Sequence, residues 1–118
     1  MIFIKIIMKI QQGDLVLVPF PYSDLSSTKV RPALVVSNSS LRGEDCILCG
    51  VTSQEGKQSQ VVLRVSDLSK GSLPLTSYIR ADKVISLKKD IIRRVVAQVS
   101  KRKQEEVFNK IGGLLSVE

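Results

Sequence analysis

Short apolar runs, rich in β-branched residues, alternate along the chain with segments that carry Gly, Ser, Asn or Asp. This punctuation is typical of short strands joined by hairpin loops. It predicts six strands, at residues 14–20, 33–37, 47–53, 61–65, 78–87 and 94–99. Runs such as Leu34-Val35-Val36 are apolar at consecutive positions, so both faces of the sheet should be covered. A closed barrel or a sheet covered by other elements fits this pattern better than an open sheet with one wet face.

The C-terminal segment has a different period. Ser100 is a candidate N-cap for a helix over residues 101–115. The apolar residues of this segment follow one stripe of a 3.6-residue period. They are Val107, Phe108, Ile111, Leu114 and Leu115. Gly112-Gly113 weakens the helix near its end. The predicted fold is therefore mainly β (α+β), a small antiparallel β-barrel that carries one C-terminal helix.

Length and charge narrow the class of protein. The 118 residues, 43% of them hydrophobic, predict a single domain over residues 1–118. A net charge of +7 suits a polyanion or an acidic protein partner, although a basic solvated surface gives the same count. The runs Arg93-Arg94 and Lys101-Arg102-Lys103 are interpreted as such a solvated face.

The first seven residues are apolar but too short to span a membrane, and they lack a signal-peptide cleavage site. Residues 1–7 are interpreted as a misassigned start or a short extra strand, and the protein is expected in the cytoplasm.

Two cysteines, Cys46 and Cys49, stand three residues apart in a predicted strand, where they point to opposite faces. A zinc site lacks further ligands, because the chain has no histidine and no second cysteine pair. Buried, reduced thiols are the favoured interpretation, ahead of a metal or redox role.

The absence of histidine also removes the usual ribonuclease acid–base pair and every histidine-dependent triad. Arg80 and Asp82 are the best remaining constellation, since residues two apart in a strand share a face. A cation and a carboxylate at this spacing can flank one phosphodiester, with Asp82 as base and Arg80 on the phosphate. A structural salt bridge is the alternative that the two residues alone leave open.

The segment over residues 13–38 carries a family resemblance. Gly13-Asp14 opens an apolar strand, a polar loop follows, and Arg31-Pro32-Ala33 leads into the next strand. Pro32 favours an extended conformation at Arg31. This pattern resembles the MazF/PemK toxins of type II toxin–antitoxin systems, and the resemblance extends over residues 8–116. It implies an SH3-like barrel and a metal-independent endoribonuclease without a cofactor.

The resemblance also implies site residues. An Arg-x-Asp corresponding to Arg80 and Asp82 carries the roles given above, the arginine corresponding to Arg31 lies in the cleavage site, and a threonine corresponding to Thr52 binds the scissile phosphate. The expected reaction is transesterification to a 2′,3′-cyclic phosphate and a 5′-hydroxyl. Some members place a histidine in the first loop, where this chain has Tyr22-Ser23-Asp24. The general acid is therefore left unassigned.

The partners implied by the resemblance are single-stranded mRNA, a second copy of the chain and a cognate acidic antitoxin. Operator DNA is expected only together with the antitoxin, and no membrane is expected. Two alternatives remain open. One is a non-catalytic nucleic-acid-binding barrel in which Arg80 and Asp82 are merely paired. The other is a gyrase-poisoning toxin of a related fold, which acts through its terminal helix.

Overall fold

The computed structural model describes residues 9–20, 29–56 and 59–118. The described residues form seven strands, two single-turn 3₁₀ helices and one α-helix. The strands are β1 (Asp14–Phe20), β2 (Lys29–Val35), β3 (Asp45–Thr52), β4 (Gln60–Leu63), β5 (Leu68–Gly71), β6 (Ser77–Lys88) and β7 (Arg94–Val99). The 3₁₀ turns are Val65–Asp67 and Lys89–Ile91, and the helix α1 is Lys101–Leu115. The predicted N-terminal extension over residues 1–7 and the loop over residues 21–28 lie outside the described residues.

All seven strands belong to one antiparallel sheet, in the order β4-β6-β3-β2-β1-β7-β5. The sheet curls into a half-barrel, and the long strand β6 pairs with β3 along one edge and with β4 along the other. The prediction of a mainly β fold with one C-terminal helix is confirmed.

Two strand predictions are wrong. The second strand begins at Lys29 instead of residue 33, so Arg31 and Pro32 lie inside β2 and pair with Val18 and Leu17 of β1. The described pairing with β3 begins only at Ala33, so the missing N–H of Pro32 removes no hydrogen bond of that ladder. Strand β5 was not predicted, because Leu68-Ser69-Lys70-Gly71 has one apolar residue and forms only as an edge strand on β7.

Buried side chains cover both faces of the sheet, as the consecutive apolar positions predicted. The first cluster, under α1, comprises Leu15, Leu34, Cys49, Val51, Val61, Leu63, Ile79, Ala97, Val99 and Val107. The second cluster, on the opposite face, comprises Val16, Val18, Phe20, Ala33, Val35, Cys46, Leu48 and Ile92. The prediction for the cysteines is confirmed: both are buried and free, and they belong to different clusters.

The helix α1 begins where the sequence predicted, with the Ser100 hydroxyl accepting a hydrogen bond from the backbone N–H of Lys103 at 3.3 Å. It continues through the two glycines to Leu115. The buried face differs from the predicted apolar stripe, because Phe108 is 71% exposed whereas Lys103 and Val107 are buried.

The assignment of Lys103 to a solvated basic face is therefore wrong. Its ammonium lies 2.9 Å from Glu106 Oε2 and 3.7 Å from Asp67 Oδ2, and the side chain is only 9% exposed. Lys101 and Arg102 are exposed, as predicted.

Asp14 joins the start of β1 to β7 and α1. Its buried carboxylate accepts a 2.6 Å hydrogen bond from Gln98 Nε2 and a 2.9 Å hydrogen bond from the backbone N–H of Gln11. Gln104 donates in turn to Gln98 Oε1 and to the backbone carbonyl of Val99. Gly13 has a φ of 91°, and a Cβ there would overlap the side-chain amides of Gln98 and Gln104. The Gly13-Asp14 pair is thus a structural junction.

Candidate active site

Arg80 and Asp82 form a bidentate ion pair on the face of β6 opposite to the helix. Nη2 of Arg80 lies 2.7 Å from Oδ2 of Asp82, and Nε lies 3.2 Å from Oδ1. The side chains are 31% and 38% exposed, whereas the intervening Ala81 and the preceding Ile79 are buried. This alternation confirms that residues 78, 80 and 82 share one face of the strand.

A large β-bulge presents this pair. Cys49 of β3 lies opposite Val84 of β6, and Val51 of β3 lies opposite Ile79. The single residue between Cys49 and Val51 therefore faces four residues of β6, 80–83. This segment is supported from the other side, where Arg80 pairs with Gln60 of β4 and the Ala81 N–H donates to the Ser59 carbonyl at 2.9 Å. The bulge bends the strand and directs the Arg80–Asp82 pair away from the β3 ladder.

The environment of Asp82 keeps its carboxylate ionised. Partial burial acts to raise the pKa of Asp82, but the hydrogen bonds and positive charge of Arg80 act in the opposite direction. The backbone N–H of Asp82 and the charge of Lys83 add to the lowering. The pKa of Asp82 is therefore below its ordinary value, and the group is a proton acceptor at neutral pH.

Strand register places Thr52 beside β6 and leaves Arg31 beyond the β2–β3 ladder. Thr52, at the end of β3, lies directly opposite Tyr78 of β6. Ala33 of β2 lies opposite Gly50 at the end of the β2–β3 ladder, so Arg31 lies two residues beyond that ladder. Directly opposed residues of antiparallel strands project to the same side. Thr52 and Tyr78 therefore share a face with Arg80, which lies two residues along β6, whereas Arg31 pairs with Val18 of β1.

Thr52 and Arg31 are both partly exposed. The Thr52 hydroxyl accepts a 3.2 Å hydrogen bond from the backbone N–H of Gln54, a contact that uses a lone pair and not the hydroxyl proton. Arg80, Asp82 and Thr52 therefore present a guanidinium, a carboxylate and a hydroxyl on β6 and the adjoining end of β3, and Arg31 is a second, partly exposed guanidinium on β2. These groups suit a phosphodiester, since guanidinium and hydroxyl donors match phosphate oxygens and the carboxylate accepts a proton.

Sequence reasoning gave no role to Tyr78, which belongs to this surface. It is half-buried and shares its face with Arg80 and Asp82. The i, i+2, i+4 spacing of Tyr78, Arg80 and Asp82 is visible in the sequence, but its place beside Thr52 depends on the pairing of β3 with β6.

Within residues 9–20, 29–56 and 59–118, no three His, Cys, Asp or Glu side chains gather as metal ligands would. In the part of the chain that the structure describes, no helix has the length and apolarity needed to cross a bilayer.

One protein-family model matches the sequence of this chain. Residues 11–115 match the model of the PemK-like, MazF-like toxins of type II toxin–antitoxin systems. This match covers most of the chain, and the protein therefore belongs to that toxin family. No curated protein sequence matches the chain significantly.

Solved structures agree with the family assignment. The crystal structure of MazF from Deinococcus radiodurans is 28% identical with a TM-score of 0.72, covering 91% of this chain and 96% of that one. A MazE–MazF crystal structure from the same organism is 26% identical with a TM-score of 0.71, covering 92% and 97%. An endoribonuclease of a mycobacterial species, in complex with its cognate antitoxin, shares the fold at 21% identity and a TM-score of 0.72, covering 93% and 98%.

Proposed function

We propose that this toxin is an endoribonuclease that cleaves single-stranded mRNA at preferred sequences by metal-independent transesterification. The observation that carries the proposal is the Arg80–Asp82 pair, held on a bulge of β6 two residues from the Thr52–Tyr78 pair. The solved relatives from a mycobacterial species that are described as endoribonucleases support the same activity.

In the proposed reaction, the scissile phosphate displaces the Asp82 carboxylate from Arg80 and takes its place on the guanidinium. Asp82, ionised at neutral pH because of its lowered pKa, accepts the proton of the ribose 2′-hydroxyl. The 2′-oxygen attacks phosphorus in line, and Arg80 stabilises the charge that develops on the non-bridging oxygens. Arg31 and Thr52 bind the same phosphate from the neighbouring strands. The products are a 2′,3′-cyclic phosphate and a 5′-hydroxyl.

The proposed partners follow from the family and from charge. MazF of Deinococcus radiodurans has been solved in complex with MazE, and a mycobacterial relative has been solved with its cognate antitoxin. We propose that this chain acts in the cytoplasm as a homodimer and is inhibited by an acidic antitoxin, to which its net charge of +7 is complementary. Operator DNA is proposed as a partner only of the toxin–antitoxin complex.

The experiment is cleavage of a long unstructured RNA in EDTA, with chemical mapping of the fragment ends. The wild type is compared with Asp82→Asn, Arg31→Ala and Thr52→Val. Asp90→Asn is the matched control, because Asp90 is an exposed carboxylate outside the site, in the 3₁₀ turn that follows β6. We expect cuts at a short shared motif with 5′-hydroxyl ends, a loss of at least about 10³-fold for Asp82→Asn, and unchanged cleavage by Asp90→Asn.

Binding of the same RNA without cleavage by the wild type would contradict the proposal and leave a non-catalytic binding module. Cleavage that EDTA abolishes and Mg²⁺ restores would contradict metal independence. Inhibition of gyrase without RNA cleavage, indifferent to Arg31 and Asp82, would indicate the protein-contact toxin instead.

A further inference from the structure

We infer that Tyr78 is the general acid of this site, the group that protonates the 5′-oxygen as it leaves. The inference rests on the proposed function and supplies the one proton transfer that Arg31, Thr52, Arg80 and Asp82 leave unassigned. The chain has no histidine, and a guanidinium is a poor proton donor because arginine is not deprotonated in proteins. A tyrosine hydroxyl is an established type of general acid.

The order of Tyr78, Arg80 and Asp82 along one face of β6 suits an in-line displacement. Tyr78, Arg80 and Asp82 follow one another on one face of β6, with buried Ile79 and Ala81 between them. Their Cα atoms span about 13 Å from Tyr78 to Asp82, at roughly 3.3 Å per residue. In an in-line reaction the nucleophile and the leaving group lie on opposite sides of phosphorus. Because Arg80 lies between Tyr78 and Asp82 on this face, we place a phosphate bound at Arg80 between the base, Asp82, and the phenol of Tyr78.

The strand neighbours of Tyr78 fix its position on the sheet. Thr52 of β3 lies opposite it on one side, and Val62 of β4 lies opposite it on the other. Tyr78 is half-buried between these strands, which limits the movement of its ring while part of the side chain remains accessible. Thr52, which lies opposite Tyr78, is itself a proposed phosphate ligand. The phenol and the phosphate-binding hydroxyl therefore belong to directly opposed residues.

The proton balance of the step closes with these two groups. Asp82 takes the 2′-hydroxyl proton while the bond between the 2′-oxygen and phosphorus forms. The bond between phosphorus and the 5′-oxygen breaks, its electron pair goes to that oxygen, and the Tyr78 O–H donates its proton there. Tyr78 is left as phenolate and Asp82 as the neutral acid. Exchange of one proton with water at each group restores the starting state.

The test compares wild type, Tyr78→Phe and Tyr22→Phe on two versions of one oligonucleotide that carries the motif mapped on the long RNA. The first has the natural 5′-oxygen at the scissile bond, and the second has a bridging 5′-sulfur, which leaves as a thiolate without protonation. Tyr22→Phe removes the only other phenol of the chain. Thermal melting of each variant checks that the fold is retained.

We expect Tyr78→Phe to lower kcat on the oxygen substrate by about 10²-fold with little change in KM. On the sulfur substrate, the same variant should cleave within about threefold of wild type, since no acid is required. Tyr22→Phe should resemble wild type on both substrates.

Three results would overturn the inference. Undiminished cleavage of the oxygen substrate by Tyr78→Phe would exclude a role for the hydroxyl. An equal loss on both substrates would show a positioning or structural role. Failure of the wild type to cleave either substrate would remove the proposed function itself, and is distinguished from the first two results by that missing wild-type activity.

Discussion

The guanidinium of Arg80 donates two hydrogen bonds to the carboxylate of Asp82, 2.7 Å from Nη2 to Oδ2 and 3.2 Å from Nε to Oδ1. Both residues lie on a segment of β6 that bulges out of the β3 ladder and is held from the side of β4. In the free site, the carboxylate of Asp82 therefore binds the same guanidinium that is proposed to bind the substrate phosphate. A substrate phosphate that displaces the carboxylate binds the arginine and frees the base in one step.

Replacing Arg80 should raise the pKa of Asp82. In Arg80→Gln the charge and hydrogen bonds that lower this pKa are lost, while the partial burial that raises it remains. NMR titration of ¹³C-labelled aspartate carboxyls measures the midpoint. Lys83→Gln is the matched control and should cause a smaller upward shift, since Lys83 makes the last of the lowering contributions. An unchanged or lower midpoint in Arg80→Gln would show that the ion pair is not formed in solution.

The lowered pKa of Asp82 also makes the stability of the folded state depend on pH. A carboxyl whose pKa is lowered by folding stabilises the folded state above its unfolded pKa, and this contribution is lost as the pH falls through the lowered folded value. Because the two side chains are 31% and 38% exposed, solvent screens the pair and the effect on stability should be small. The pair should therefore affect activity more than folding.

Asp14→Ala should destabilise the protein. The buried carboxylate accepts hydrogen bonds from Gln98 and from the backbone of Gln11, and its removal leaves these donors without their partner. A loss of about 1–3 kcal/mol is expected, measured as a lower midpoint of urea unfolding. Asp90→Ala, at an exposed carboxylate, should change the midpoint little. Equal midpoints for the two variants would show that the Asp14 network contributes nothing to folding.

Lys103 should contribute through its stem more than through its charge. Its side chain is only 9% exposed, and Asp67 also accepts a 2.8 Å hydrogen bond from the Arg64 N–H. Lys103→Met, which keeps the packing, should stay within about 0.5 kcal/mol of wild type. Lys103→Ala should lose about 1–2 kcal/mol. Urea unfolding measures the free energy of unfolding of both variants. An equal loss of stability in both would show that the ion pairs to Glu106 and Asp67 contribute more than the stem.

Gly112→Ala should stabilise the helix. Gly112 lies inside α1, and a Cβ there meets no atom within 4 Å. Alanine in a helix interior is favoured over glycine by about 0.8–1 kcal/mol, which should raise Tm by a few degrees. Gly43→Ala is the comparison, because Gly43 also has open space around it but a φ of 101°. It should lower Tm. A decrease for Gly112→Ala in differential scanning calorimetry would contradict the helix boundary.

Both cysteines should resist alkylation in the native protein. Burial, with a smaller contribution from the negative charge of Asp82, raises the pKa of Cys49 to about 12. Burial also raises the pKa of Cys46, against the opposing charge of Lys89. At pH 8 only about one Cys49 thiol in ten thousand would be ionised. Mass spectrometry after iodoacetamide should show no modification of native protein and two modifications in guanidinium chloride. Rapid native modification would show that the strand β3 opens locally.

The sequence by itself determined the elements whose signals are local. Strands β1 and β7 and the helix α1 begin and end at the predicted residues, because apolar periodicity and the Ser100 cap act over a few neighbouring positions. The common face of Arg80 and Asp82 followed from the two-residue period of a strand. The single-domain organisation over residues 1–118 stays a prediction.

Tertiary structure alone decided what depends on pairing between distant segments. The register of β3 with β6 brings Thr52 beside Tyr78, and the same pairing creates the bulge that contains Arg80 and Asp82. Strand β5 exists because β7 offers an edge, and Lys103 is buried because the sheet lies beneath that side of α1. A single segment carries no information on its partner's register, and a shift of one residue would reverse every face. The candidate residues were therefore readable in the chain, whereas their relative placement on the sheet depended on the fold.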